Sequence, residues 1–126
     1  MELTVRQVTM TFGKINALNQ ISCTFSSGNL IGLVGPNGAG KTTLLKILTT
    51  LLRPTNGKVT LDGTDIVKHP EAMKNILGYL PQDVAVYPNL TATEFLSYMA
   101  SMKKVPKADA RRQIPELMEM LHLSDS

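Results

Sequence analysis

Tryptophan is missing from this sequence, and cysteine occurs once, as Cys23. A single thiol excludes an intramolecular disulfide and suits a reducing compartment. The expectation for Cys23 is a small, buried, apolar residue. Charge of either sign is thin. The net charge of +3 is mild and, with no tryptophan, gives no argument for a nucleic-acid partner. Long apolar runs are absent too. The best candidate, Leu44 to Leu52, is broken by Lys46 and several threonines, well short of the roughly 20 residues of a membrane helix. The opening MELTVRQVTM has an acid at position 2 and no apolar h-region, so it does not read as a signal peptide. There is no internal repeat and no low-complexity tract. What is present is a globular balance, 43% hydrophobic and 18% charged over 126 residues, enough for one ordinary domain with a core.

The first segment alternates. Leu3 and Val5 share one face, and Val8, Met10 and Phe12 share another phase. The shift at Arg6-Gln7 predicts a bulge or break in a strand. Gly13-Lys14 reads as a turn, and Ile21, Cys23 and Phe25 as a second strand, so two antiparallel strands open the fold. LIGLV (30–34) is apolar without alternation, the pattern of a strand buried on both faces. KTTLLKILTTLL places Leu44, Leu45, Leu48, Leu51 and Leu52 at helical intervals. KVTLDG (58–63) is a strand and turn, Pro70 opens a short helix, and ILGYL (76–80) is a further strand. Thr91 to Lys103 is helical, with Thr91 and Glu94 spaced as a capping box. Lys107 to Leu121 is helical again. Pro115 inside it predicts a kink, or two short helices joined near Ile114.

The chemistry concentrates in GPNGAGKTT (35–43). Gly35, Gly40, Lys41 and Thr42 fit G-x-x-x-x-G-K-[ST], after an apolar strand and before a helix. A triphosphate is a dense anion, and successive backbone N–H groups plus a helix N-terminus make a positive nest for it. Gly38 and Gly40 permit close approach and positive φ. Lys41 supplies a compact cation for the β- and γ-phosphates. The hydroxyl of Thr42 is a hard oxygen ligand for Mg²⁺, and Thr43 reaches the α-phosphate from the first helical turn. ATP with Mg²⁺ is the expected cofactor pair.

This loop, in this form, resembles that of ATP-binding-cassette (ABC) transporter ATPases, and the resemblance runs along almost all of the chain. PTNGKVTLDG (54–63) is similar to the family's segment after the first helix, GYLPQD (78–83) to its Q-loop, and YPNLTATEFLSYMA (87–100) to the start of its helical subdomain. FGKINALNQIS (12–22) resembles the segment carrying the adenine-stacking aromatic. The resemblance implies an α/β fold: an incomplete P-loop NTPase core with an N-terminal antiparallel β subdomain and the start of a helical subdomain. Residues 1–86 would form the first two, and 87–126 the third. It implies that Phe12 stacks on adenine, where the alternative is a plain strand-end core residue. It implies that Asn37 and Ala39 border the phosphates, and that Gln82 touches Mg²⁺ or the attacking water and reports to a transmembrane permease subunit. Lys41 and Gln82 would be the catalytic pair. The segment 87–100 is most similar to ATPase subunits of drug, antibiotic or peptide exporters. The implied location is the cytoplasmic face of the membrane, peripheral and held by the permease.

The family's domain continues through a signature loop, a strand ending in Asp-Glu, a D-loop and a switch histidine. None of these is found in the 126 residues. Asp62 ends a strand without a following Glu and ahead of Gln82, so it reads as a turn residue. His69 and His122 do not follow an Asp-Glu strand. With no carboxylate to orient water, a role worth roughly 10²–10⁴ in rate, these residues alone are expected to bind ATP and barely turn it over. The signature would come from a second nucleotide-binding domain. The missing sheet strands would leave an open apolar edge. The alternatives are a non-hydrolysing ATP-binding module and another P-loop enzyme such as a small-molecule kinase. Two further features stand out. Lys103, Lys104, Lys107, Arg111 and Arg112 form a basic cluster, either a solvated helix face or a surface for acidic headgroups. Met99, Met102, Met118 and Met120 either fill core gaps or line a docking surface.

Overall fold

The structure, a computed structural model, describes residues 1–81 and 88–123. It divides into two compact units, Met1–Tyr79 and Leu80–Ser126.

In the first unit, β1 (Glu2–Phe12) and β2 (Ile15–Ser26) form an antiparallel hairpin over the Gly13-Lys14 turn. Strands β3 (Asn56–Leu61) and β4 (Thr64–Asp65) extend it into a four-stranded sheet of order β2-β1-β3-β4. The expected bulge is present. The register of β1 slips between Val5 and Val8 against β2, and between Arg6 and Thr9 against β3. Gln7 turns through φ 45° and Gln20, on β2, through φ 47°. The slip keeps both halves of β1 facing the core, with Val5 and Val8 each at most 1% exposed. Gly57 shows why only one residue type fits opposite it. A Cβ there would stand 2.4 Å from the Gln7 carbonyl oxygen and 2.5 Å from Val8 Cα, at φ +97°.

One face of the sheet carries the core. Helix α1 (Lys41–Leu48) contributes Leu44 and Ile47 to a buried cluster shared with Val8, Leu18 and Val59, and Met73 of the short helix α2 (Glu71–Lys74) belongs to it too. Cys23 packs at the margin of this core, half-buried, and burial pushes its thiol pKa up.

Three expectations are corrected here. Helix α1 stops at Leu48, so Leu51 and Leu52 lie beyond it. The Thr49 hydroxyl donates back to the carbonyls of Leu45 (2.8 Å) and Lys46 (3.2 Å), and Thr50 turns through φ 66°. Leu51 N–H then bonds the Lys46 carbonyl at 2.9 Å and Thr50 N–H that of Ile47 at 3.1 Å, the paired bonds that close a helix. Residues 30–34 form no strand, and Leu30 and Val34 are 103% and 92% exposed. Residues 77–80 also run without a ladder, leaving Leu80 exposed. A strand buried on both faces needs neighbours on both sides. No strand among the described residues lies beside either segment.

In the second unit, α3 (Ala92–Met102) opens with the expected capping box. The Glu94 N–H donates to Thr91 Oγ1 at 3.2 Å, and the Thr91 N–H to Glu94 Oε1 at 3.3 Å. Helix α4 (Lys107–Met120) packs on it through the buried Met118. It is one helix, not two: it runs unbroken through Pro115. The proline is exposed, so the Arg111 carbonyl that loses its donor remains open to water.

Candidate functional site

Every expected phosphate-loop residue falls in the first unit, between β2 and the start of α1. The loop is shaped by its own backbone. Ala39 N–H bonds the Pro36 carbonyl at 3.2 Å, closing a turn around Asn37 and Gly38. Gly38 takes φ +86°, left-handed backbone that a side chain would strain. Gly40 has a second constraint. It sits at φ +94°, and a Cβ would stand 2.5 Å from the Ala17 carbonyl oxygen and 2.8 Å from Leu18 Cδ2. The end of the loop is therefore pressed onto β2. This contact was not legible in the sequence, because nothing in Ala17 or Leu18 as residue types points to it.

The loop delivers the chain into α1 with Gly40 as N-cap. No side chain caps this end, and the first turn holds no acidic residue. The N–H groups of that turn have no acceptor within the helix, and the helix dipole adds partial positive charge there. The Lys41 ammonium donates to the Gly35 carbonyl, spanning the loop from its last residue to its first. Thr42 is exposed in the first turn and Thr43 half-buried; Asn37 and Ala39 are exposed on the loop. Residues 35–43 gather backbone donors and one cation, and none of these residues is a carboxylate. That donor set fits the phosphates of a nucleotide.

Phe12 ends β1, 47% exposed, paired with Ile15 across the turn. Ile15 lies two residues before Ala17, the residue on which Gly40 rests, a strand distance of about 7 Å. The hairpin end and the end of the loop thus share one strand. Gln82 lies outside the described residues. No group of three or more His, Cys, Asp or Glu side chains that could hold a metal is found among the described residues. Among the described residues, the Thr42 hydroxyl is the expected oxygen ligand for a Mg²⁺ ion.

Comparison with known proteins agrees with this geometry. The ABC transporter family model matches residues 18–126. The sulfate/thiosulfate import ATP-binding protein CysA 1 of Agrobacterium fabrum is 34% identical over 98% of this chain and 37% of its own length. The probable multidrug ABC transporter ATP-binding protein YbhF of Escherichia coli is 38% identical over 85% of this chain and 18% of its own. A solved ATP-binding subunit of an ABC transporter superposes with a TM-score of 0.85 at 26% identity, covering 99% of this chain and 52% of that one. The chain spans about a third of the length of CysA 1 and about half of the solved subunit. The fold is the mixed α/β architecture of these ATPases, with an antiparallel β portion followed by helices. No helix among the described residues is long and apolar enough to cross a membrane. With a family model covering most of its length and relatives alike in sequence and fold, the chain belongs to the ABC transporter family, as part of an ATP-binding subunit.

Proposed function

We propose that this chain forms the nucleotide-binding front part of an ABC transporter ATPase, and that Gly35 to Thr43 hold Mg·ATP. The observation that carries the reading is the loop itself: an uncapped helix N-terminus preceded by two positive-φ glycines, with Lys41 spanning the loop to Gly35. On this reading Lys41 exchanges the Gly35 carbonyl for the β- and γ-phosphates, a stronger, charge-assisted partner. The first-turn N–H groups and the loop amides around Asn37, Gly38 and Ala39 hold the remaining oxygens. Thr42 supplies a metal ligand, Thr43 meets the α-phosphate, and Phe12 stacks on the adenine. Bound Mg²⁺ would neutralise charge on the phosphates. Gln82 is assigned to the metal or the attacking water and to coupling with a permease subunit. We assign residues 1–86 to the β portion and nucleotide core and 87–126 to the start of the helical portion.

The parent activity is ATP-driven transport, at the cytoplasmic face of a membrane, with a transmembrane permease and a second nucleotide-binding domain supplying the signature loop. We read the direction as export, on the resemblance of residues 87–100. Relatives named as an import protein and as a multidrug protein match at similar identity, so transport by the complete assembly is the readout for direction. Family membership sets aside the small-molecule kinase. The non-hydrolysing ATP-binding module is the second reading, which steady phosphate release by the complete assembly would exclude.

These residues alone are expected to bind ATP weakly and release phosphate at background rate. The check is a steady-state phosphate-release assay alongside displacement of a fluorescent ATP analogue by ATP. Displacement without turnover supports the reading. Steady release that Lys41→Ala abolishes overturns the part about turnover, and no displacement overturns the part about binding.

A further inference from the structure

The second unit distributes its charge in a way that its own stability does not explain. All five Lys and Arg residues between positions 88 and 123 fall within 103–112, while Glu94, Glu116 and Glu119 lie elsewhere. Helices α3 and α4 are joined by only four residues, 103–106, so they run as antiparallel neighbours. The connection and the first turns of α4 then make one end of the hairpin. The start of α3 and the end of α4 make the other. The cations gather at the first end and three of the four carboxylates at the second.

A helix favours acids near its N-terminus and cations near its C-terminus. Helix α4 has the reverse. Lys107 is its first residue and Arg111 and Arg112 follow in the second turn, whereas Glu116 and Glu119 sit toward its C-terminus. Only Asp109 conforms, 3.8 Å from Arg112 in an exposed pair, which is of little weight for stability. The tip is also ordered. Val105 N–H bonds the Ala100 carbonyl at 2.9 Å and Lys104 N–H that of Ser101 at 3.1 Å, with Lys104 itself at φ 57°, where Gly is the residue without strain. The residue that takes this backbone is a cation. Beside it Met102 is 63% exposed.

We propose that this cationic tip is a membrane-contact surface, which docks on a bilayer leaflet rich in anionic phospholipid headgroups. Charge complementarity selects the anion: the tip carries a local excess of four positive charges over ten residues. The exposed Met102 among those cations favours a lipid interface over an acidic protein surface, because a thioether side chain can enter the headgroup layer while the ammonium groups stay at its surface. The contact does not require that the loop at 35–43 bind nucleotide.

The test is co-sedimentation of the 126-residue chain with vesicles of phosphatidylcholine alone, or of phosphatidylcholine mixed with phosphatidylglycerol. The expected result is binding to the mixed vesicles only, lost at about 0.5 M salt, where screening shortens to a few ångströms. Reversal of Lys104, Lys107 and Arg111 to Glu should lower the partition roughly a hundredfold or more, at about fivefold per cation removed. Reversal of Lys58, Lys68 and Lys74 makes the same change in net charge in the first unit and should lower it far less. If charge reversal disturbs the hairpin by circular dichroism, Lys104→Gln with Lys107→Gln gives the milder version, expected to cost roughly twenty-fivefold. Met102→Ser should weaken vesicle binding further. Failure to bind mixed vesicles, equal binding to neutral ones, or equal losses from both reversals would overturn the proposal. So would binding to polyglutamate as tight as to vesicles and insensitive to Met102→Ser, which would assign the tip to an acidic protein instead.

Discussion

Two apolar regions of the first unit have opposite fates. Val5, Val8 and Val59, in the sheet, are at most 1% exposed, whereas Leu30 and Val34, in LIGLV, are exposed almost as fully as in an open chain. Hydropathy does not separate them. Partners do: β1 has β2 on one side and β3 on the other, so its backbone groups are bonded and its side chains meet a facing layer formed by α1. Residues 30–34 have no ladder among the described residues, and Ile31 and Leu33 are only about half covered, at 49% and 46% exposed. Burial here is a property of the pairing and not of the residue.

The comparison can be broken or sharpened by substitution. The largest effect is expected from Gly57→Ala, where a methyl meets the backbone of the β1 bulge at positive φ. Strain and overpacking together should cost about 3–5 kcal/mol, read as a lowered denaturant midpoint for the first unit. Ile47→Ala, which opens a cavity between α1 and the sheet, should cost about 2–5 kcal/mol in the same measurement. Thr91→Ala removes a cap from α3, a helix with no buried residue, and should cost about 0.5–2 kcal/mol locally, seen as faster amide exchange in its first turn. The smallest effect belongs to the exposed segment. Leu30→Ser should change stability by less than about 0.5 kcal/mol. A loss as large as that of Ile47→Ala would mean that residues 30–34 are packed in solution, and the contrast between the two regions would fail.

What could be read in advance follows the same division. The bulge at Arg6-Gln7 was legible because a slip in register leaves a slip in alternation. The capping box was legible because its two side chains bond within four residues. The phosphate loop was legible because each position has a chemical duty tied to a residue type. Illegible features depend on something distant or on how the backbone closes. The close approach of Gly40 to Ala17 joins residues far apart in sequence. The early end of α1 comes with Thr50 turning to φ 66° and the Thr50 and Leu51 N–H groups bonding back to the Ile47 and Lys46 carbonyls, against a leucine spacing that continues to Leu52. The strands expected at 30–34 and 76–80 were read from composition, which cannot say whether a neighbouring strand is at hand.

The central claim is that the loop at 35–43 is a working phosphate nest even though the apolar segment leading into it has no strand partner among the described residues. Calorimetric titration of Mg·ATP into the purified chain, with Lys41→Ala as the control, tests it most directly. The account predicts saturable binding that the substitution removes while the far-ultraviolet circular dichroism spectrum stays unchanged. A chain that is folded by that spectrum and takes up no Mg·ATP would contradict it, and would mean that residues 30–34 must be paired in a sheet before the loop can hold a nucleotide.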